Sequence, residues 1–155
     1  MEVPAVHRAV LHALELARED LGVWCGQLSD EQINRRPSQI APVAFHLRHI
    51  ARSLDRLLTY AESGRLNENQ LAALKSELEP EATRHELLAE LSKALTEAAS
   101  RIRNLLYADL EASRAVGQKK LPTTLGGLLV HIADHTQRHV GQAITTVKIV
   151  LALSA

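Results

Sequence analysis

Aromatic residues are scarce in this chain: Trp24, Phe45, Tyr60 and Tyr107 are all it has in 155 residues. The core must therefore be built from Leu, Ala, Val and Ile, which suits closely packed helices. Cysteine is scarcer still. Cys25 stands alone, which excludes an intrachain disulfide and makes a reducing, cytoplasmic location the expectation. Beside Trp24 and away from any cluster of cations, Cys25 reads as a small buried hydrophobe rather than a reactive thiol. Net charge is also missing, since 18 Lys and Arg balance 18 Asp and Glu. No overall field draws the chain to nucleic acid or to an anionic membrane. Nor is there a long apolar run. Val147–Leu153 is broken by Lys148 and falls far short of the roughly 20 residues that span a bilayer. The opening Met1-Glu2-Val3-Pro4-Ala5 carries acid where a signal peptide carries base. No repeat or low-complexity tract interrupts the chain.

What is present is ordinary in amount and distinctive in arrangement. Hydrophobic residues make up 46% and charged residues 23%, and the length suits one domain over residues 1–155. Four long segments carry helical periodicity. The first, Pro4 to Leu28, places Val6, Val10, Leu14, Ala17, Leu21 and Trp24 at alternating steps of three and four. Ser29-Asp30-Glu31-Gln32 has the form of a capping box for a short turn ending before Pro37. The second long helix is expected from Ala41 to Gly64, with Gly64 as its terminating glycine. Residues 65–82 are polar, with a short helix over Glu68–Leu78 and a stop at Pro80. The third long helix is expected from Thr83 to Ala112. A plain connector, Ala115–Pro122, then leads to a fourth helix capped by Thr123 or Thr124 and running nearly to the end. No segment reads as a convincing strand. The expectation is an all-α four-helix bundle with short extra helices in the connections. Those connections exceed what an up-and-down bundle needs, so a crossover topology is open.

The fourth helix carries His131, His135 and His139 at spacings of four. Residues four apart lie one turn above another on a single face, and neutral imidazole is the commonest transition-metal ligand. Three such residues spread over roughly 12 Å of axis, too far for one ion, so the pair is His131 with His135 or His135 with His139. Alternating steps from Leu125 give Leu128, Ile132, His135, His139, Gln142, Thr146, Ile149 and Leu153, a seam with a polar middle. Buried imidazoles need partners, and a cation supplies one. Seam position thus favours His135 with His139 and leaves His131 as a flanking group. On the second helix an apolar row of Val43, Leu47, Ile50, Leu54, Leu57 and Ala61 runs beside a polar row of His46, His49, Ser53, Arg56 and Tyr60. Periodicity does not choose between His46 and His49 as a third ligand. His7, His12 and His85 have no partner spacing and read as solvent-facing or helix-packing.

The string His135-Thr136-Gln137-Arg138-His139-Val140-Gly141-Gln142, paired with His49-Ile50-Ala51 in the second helix, resembles the DinB-like superfamily of metal-binding four-helix bundles. The likeness extends over the whole chain in helix number, length and order. The resemblance implies one histidine ligand from the second helix and two from the fourth, which here are His49, His135 and His139. It implies a divalent ion, zinc or nickel, with an open coordination position, and for some relatives a low-molecular-weight thiol as co-substrate. The family commonly has Arg after the last histidine, where this chain has Val140.

Three neutral imidazoles leave a divalent charge largely uncompensated. Such a centre can lower the pKa of bound water to about 7, or hold a substrate thiol as thiolate. The expected function is a metal-dependent enzyme acting on a small molecule by thiol transfer or hydrolysis. Gln142, one turn beyond His139, is a candidate hydrogen-bond donor to substrate, and Arg56 and Tyr60 are candidates for an anionic group. Asp134 points roughly 100° around the helix from His135 and is expected in solvent or in a salt bridge. The rival reading is a non-catalytic metal- or ligand-binding bundle, signalled by a fourth protein ligand such as His46 or His131. A di-iron carboxylate bundle needs Glu-x-x-His pairs that neither histidine-bearing helix has. Apolar surface on the first two long helices, together with the family resemblance, is compatible with a homodimer.

Overall fold

The structure, a computed structural model, describes residues 2–155. Four long helices, α1 (Ala5–Cys25), α3 (Val43–Ala61), α5 (Arg84–Asn104) and α6 (Leu125–Leu153), form the bundle. Two short helices, α2 (Asp30–Asn34) and α4 (Glu68–Lys75), lie in the connections with a 3-10 turn at Pro37–Gln39. Local chemistry sets the starts. Ser29 with Gln32, Asn67 with Gln70 and Thr83 with Glu86 each make a reciprocal capping box, and the Thr124 hydroxyl accepts from the Gly127 amide. Three of those four helix starts thus satisfy two orphan donors at once.

Helix α1 packs against α6 and α5, and α3 packs against the same two. The order around the bundle is therefore α1–α6–α3–α5, with α1 diagonal to α3 and α5 diagonal to α6. The chain crosses the end of the bundle between each diagonal pair. That is why residues 26–42 and 105–124 are long, and it is the crossover arrangement that their length left open. No helix among the described residues is long and apolar enough to cross a membrane.

The first helix ends at Cys25 rather than Leu28 and the short helix α4 at Lys75 rather than Leu78, and three further departures from the sequence expectation are larger or bear on the site. The third long helix stops at Asn104 rather than Ala112, because the following segment is captured by the start of α6: Leu110 and Ala112 carbonyls accept from the Gly126 and Leu125 amides at 2.8 and 2.9 Å. The expected plain connector contains an antiparallel hairpin, β1 (Ser113–Val116) with β2 (Leu121–Thr124), in which Ser113 faces Thr124 and Val116 faces Leu121. Strands of four residues are too short to show alternation. Gly117, at φ +75°, supplies the left-handed turn between them. The second long helix ends at Ala61, and Ser63 rather than Gly64 takes the left-handed conformation at φ +63°. Gly64 is needed for closeness instead: its amide reaches the Thr59 carbonyl at 2.7 Å, and a Cβ would lie 3.0 Å from that oxygen.

The apolar row of α3 is buried throughout as expected, from Val43 through Leu47, Ile50, Leu54 and Leu57 to Ala61. The α6 seam is corrected. Leu125, Leu128, Ile132 and Thr146 are buried as expected, but the buried face is wider and also takes in Leu129, Thr136, Val140, Ala143, Val147 and Val150, while Gln142, Ile149 and Leu153 face solvent. The expected seam advanced at the 3.5-residue coiled-coil step, whereas this helix keeps nearer 3.6, so the two diverge along its length. His135 and His139 consequently flank the core, half-buried, rather than lying in it. Cys25 is fully buried, and burial pushes its thiol up to about 12, in keeping with a packing role. Leu47, with no exposed surface, tests the bundle interior. Replacement by Ala should lower unfolding free energy by about 2–5 kcal/mol in urea titrations while leaving the helical circular dichroism intact.

Candidate metal centre

Because α3 and α6 are neighbours in the bundle, their polar stripes face each other. His49 comes from the first, His135 and His139 from the second, and each offers a ring nitrogen lying within 4.8 Å of the other two. His49 Nε2 stands 3.2 Å from His135 Nε2. Two ligand nitrogens on a tetrahedral zinc would be about 3.3 Å apart, given bonds of about 2.0–2.1 Å. The closest pair therefore has the spacing of shared ligands, and the donor set fits a divalent cation.

Glu77 decides which nitrogen of His49 is available, and it is the site residue that the sequence did not disclose. Its Oε2 lies 2.7 Å from His49 Nδ1 and its Oε1 accepts from Arg56 at 2.7 Å, with the carboxylate only 5% exposed. Burial alone would push this carboxyl up. The hydrogen bonds from His49 and Arg56, together with the Arg56 charge, outweigh that and hold it below the usual carboxylate range. An ionised carboxylate only accepts, so His49 Nδ1 carries the proton and Nε2 presents its lone pair to the trio. The same arrangement of carboxylate behind histidine recurs in metal sites, where it fixes the ring and raises its basicity.

Arginines on α3 hold Glu77 there. Arg48, Arg52 and Arg56 are spaced by four and form one stripe along the helix. Arg48 donates to the Glu79 carbonyl, Arg52 to the Ala73 carbonyl and Ser76 hydroxyl, and Arg56 to Glu77 itself. Arg52 also pairs with Glu90 of α5 at 2.8 Å. The turn after α4 is thereby bound to α3 at three successive levels. Arg56 was a candidate for an external anion; the structure gives it an internal one. A buried arginine in the polar row was the one hint in the sequence that a carboxylate must come to meet it.

His46 lies behind the trio. Its Nδ1 meets His139 Nδ1 at 3.1 Å, so it supports that ring. Phe45 stacks on His49 with centroids 5.1 Å apart and planes 19° off parallel, one of the four aromatics of the chain spent on the site. His131 flanks as expected: its Nδ1 lies 3.7 Å from Asp134, and its ring is 5.6 Å from that of His135. Asp134 is half-exposed and also meets Arg138 at 3.5 Å, as its angular position implied. Gln142, one turn beyond His139 along the axis, is exposed and lies outside the group. Val140 is a core residue, 2% exposed, so a long cation there would have no room. His7 is buried and donates from Nε2 to the Leu105 carbonyl at 3.0 Å, whereas His12 and His85 are exposed. A cavity of about 430 Å³ opens beside two of the trio, lined by His49, His135 and His131 together with Leu57, Leu71 and Leu74.

The sequence model of the DinB superfamily matches residues 13–143. Among solved structures, the chain is similar to YfiT from Bacillus subtilis, described as a probable metal-dependent hydrolase with an unusual four-helix bundle topology. The TM-score is 0.71 at 17% identity, covering 94% of this chain and 87% of that one. It is also similar to a conserved protein from Enterococcus faecalis, with TM-score 0.67 and 21% identity over 94% of this chain and 96% of that one. Both likenesses establish the fold. No curated protein matches the chain.

Burial, reinforced by neighbouring positive groups, pushes His46, His135 and His139 down from 6.5 to about 4. All three are therefore neutral, as ligands or their supports must be, at physiological pH. Between those values the unfolded chain binds more protons than the folded one. Stability of the metal-free protein should accordingly fall as pH drops from 6.5 to 4, with no such slope from these groups above that window. Urea midpoints across the range test this, and the triple His46→Gln, His135→Gln, His139→Gln variant should show a flatter profile.

Proposed function

Since the chain belongs to the DinB superfamily, we propose that it is a metal-dependent enzyme acting on a small molecule, with His49, His135 and His139 holding one divalent cation. The observation that carries this reading is the convergence of three imidazoles from two helices within 4.8 Å, one of them with its tautomer fixed by a buried carboxylate. Zinc and nickel both suit an all-imidazole donor set. His46 and His131 fall outside the group of three. Three protein ligands beside a cavity, rather than four in a closed shell, favour a catalytic site over a structural one.

The division of labour among the residues is simple. His49, His135 and His139 bind; Glu77 and His46 orient two of those rings; Phe45 covers the face of His49; the leucines of the cavity exclude water around a bound guest. The cation would supply Lewis acidity, polarising a carbonyl or acidifying a bound nucleophile. Hydrolysis is the reading we favour, in line with the description of YfiT. One feature supports transfer from a small thiol as the second reading: both oxygens of Glu77 are already committed, to Arg56 and to His49. A thiol ionised at the centre needs no separate base.

Elemental analysis of tag-free protein should find about one equivalent of a divalent transition metal in the parent and none in His135→Ala or His139→Ala. Absence of metal from the parent, with none taken up on titration, would remove the proposal. Turnover of ester and amide panels with and without added small thiols then separates the two chemistries. Glu77→Gln keeps the shape but removes the charge that holds His49. It should weaken metal affinity by about 10–100-fold in competition with a chelator, at unchanged helical content.

A further inference from the structure

Beside the histidine cavity lies a second, of about 730 Å³, between the turn after α3 and the β1–β2 hairpin. The two share Tyr60, Leu66, Leu71, Gly117 and Gln118 as walls. They therefore adjoin, and we treat them as the inner and outer ends of one groove leading away from His49 and His135. Its inner end is apolar, walled by Leu57, Leu66, Leu71 and Leu74, and its single arginine, Arg56, is neutralised by Glu77.

The outer end has the opposite character. Arg65, Arg114 and Lys120 line it and no carboxylate does. None of the three has an ion-pair partner among the described residues. Arg114 is anchored, its Nε donating to the Ala61 carbonyl at 2.6 Å and one terminal nitrogen to the Ser113 carbonyl at 2.9 Å. Both acceptors are neutral, so its charge stays uncompensated. Arg65 and Lys120 are exposed and approach from α3's end and from the hairpin. A concave wall with cations of one sign focuses potential on whatever enters it.

Resting on the metal-centre reading above, we propose that the groove takes an elongated small molecule with an anionic group at one end. An apolar segment separates that group from the functional group presented to the three histidines. The leucines select the segment by burying it, and Arg65, Arg114 and Lys120 select the anion, carboxylate or phosphate, by charge-assisted hydrogen bonds. A neutral apolar compound would leave the outer cations unmatched, and a small anion would leave the leucine walls bare.

Alkanohydroxamates make suitable probes, because the hydroxamate grips a divalent cation while the other end can be varied. Calorimetry on the zinc-loaded full chain would compare methyl-, carboxylate- and phosphonate-ended probes over a series of chain lengths. One or both anionic series should bind about tenfold tighter than the methyl series at the best length, the weight of a charge-assisted contact. The Arg65→Gln, Lys120→Gln double variant should lose that advantage while binding methyl-ended probes as before, which shows that it is folded and metal-loaded. Equal affinity for all three endings at every length would overturn the proposal and leave the metal centre standing. A second arm needs no metal. Octanoate, and not octanol, should shift the amide resonances of Gly64, Gly117 and Gln118 in the metal-free protein. No difference between octanoate and octanol there would count against the groove even if the chain proved to bind no metal at all.

Discussion

The hydrogen bond between Glu77 and His49 is the contact on which the rest of the site depends. A buried carboxylate is costly unless compensated, and here Arg56 compensates it on one oxygen while His49 uses the other. From that one contact follow the proton on Nδ1, the lone pair on Nε2 and the orientation of the ring toward His135. The contact in turn rests on three arginines that bind the turn after α4 along the length of α3. Removing either layer would leave a histidine free to spin and a charge without a partner. The arrangement is thus in place without any ion, and His135, His139 and the supporting His46 are kept neutral chiefly by being withdrawn from water.

The topology serves the same end. Placing α3 beside α6 opposes stripes that belong to the second and fourth long helices, and the two end-crossing connections make that neighbourhood possible. Those connections then do more than span distance. One folds into the hairpin that carries Lys120 and Gly117, and the α3–α5 link carries α4, Leu71, Leu74 and Glu77. The bundle supplies the three imidazoles, and the connections supply cavity walls and the cationic side chains beside them. This division is common where chemistry is held by a scaffold and selectivity by loops.

Particular residues show what could be read without coordinates. The four long helices, the Ser29 capping box and the His135 and His139 pair were legible because their causes lie within a few residues of one another. The apolar row of α3 was legible for the same reason. Glu77 was not, since nothing local distinguishes it from the other acids of a polar stretch; only a buried arginine 21 positions earlier demanded it. Spacing alone left His46 and His49 as equals, and the structure separates them by what stands behind each ring: a carboxylate for one, another histidine for the other. Gln142 was misplaced because a step of 3.5 instead of about 3.6 accumulates along a long helix. The hairpin and the early end of α5 were invisible because both are imposed by contacts with the start of α6.

His49 and His135 stand 86 positions apart in the chain yet meet at 3.2 Å. Any ion gripped by both would act as a removable staple across more than half of the polypeptide. By the arithmetic that applies to covalent cross-links, restraining an open chain over such a span takes about 4–5 kcal/mol of freedom from it. Occupancy would then be felt well beyond the pocket, in how tightly the diagonal crossings are drawn shut and in how readily the two halves of the bundle part. Loading and rigidity would rise and fall together in this molecule.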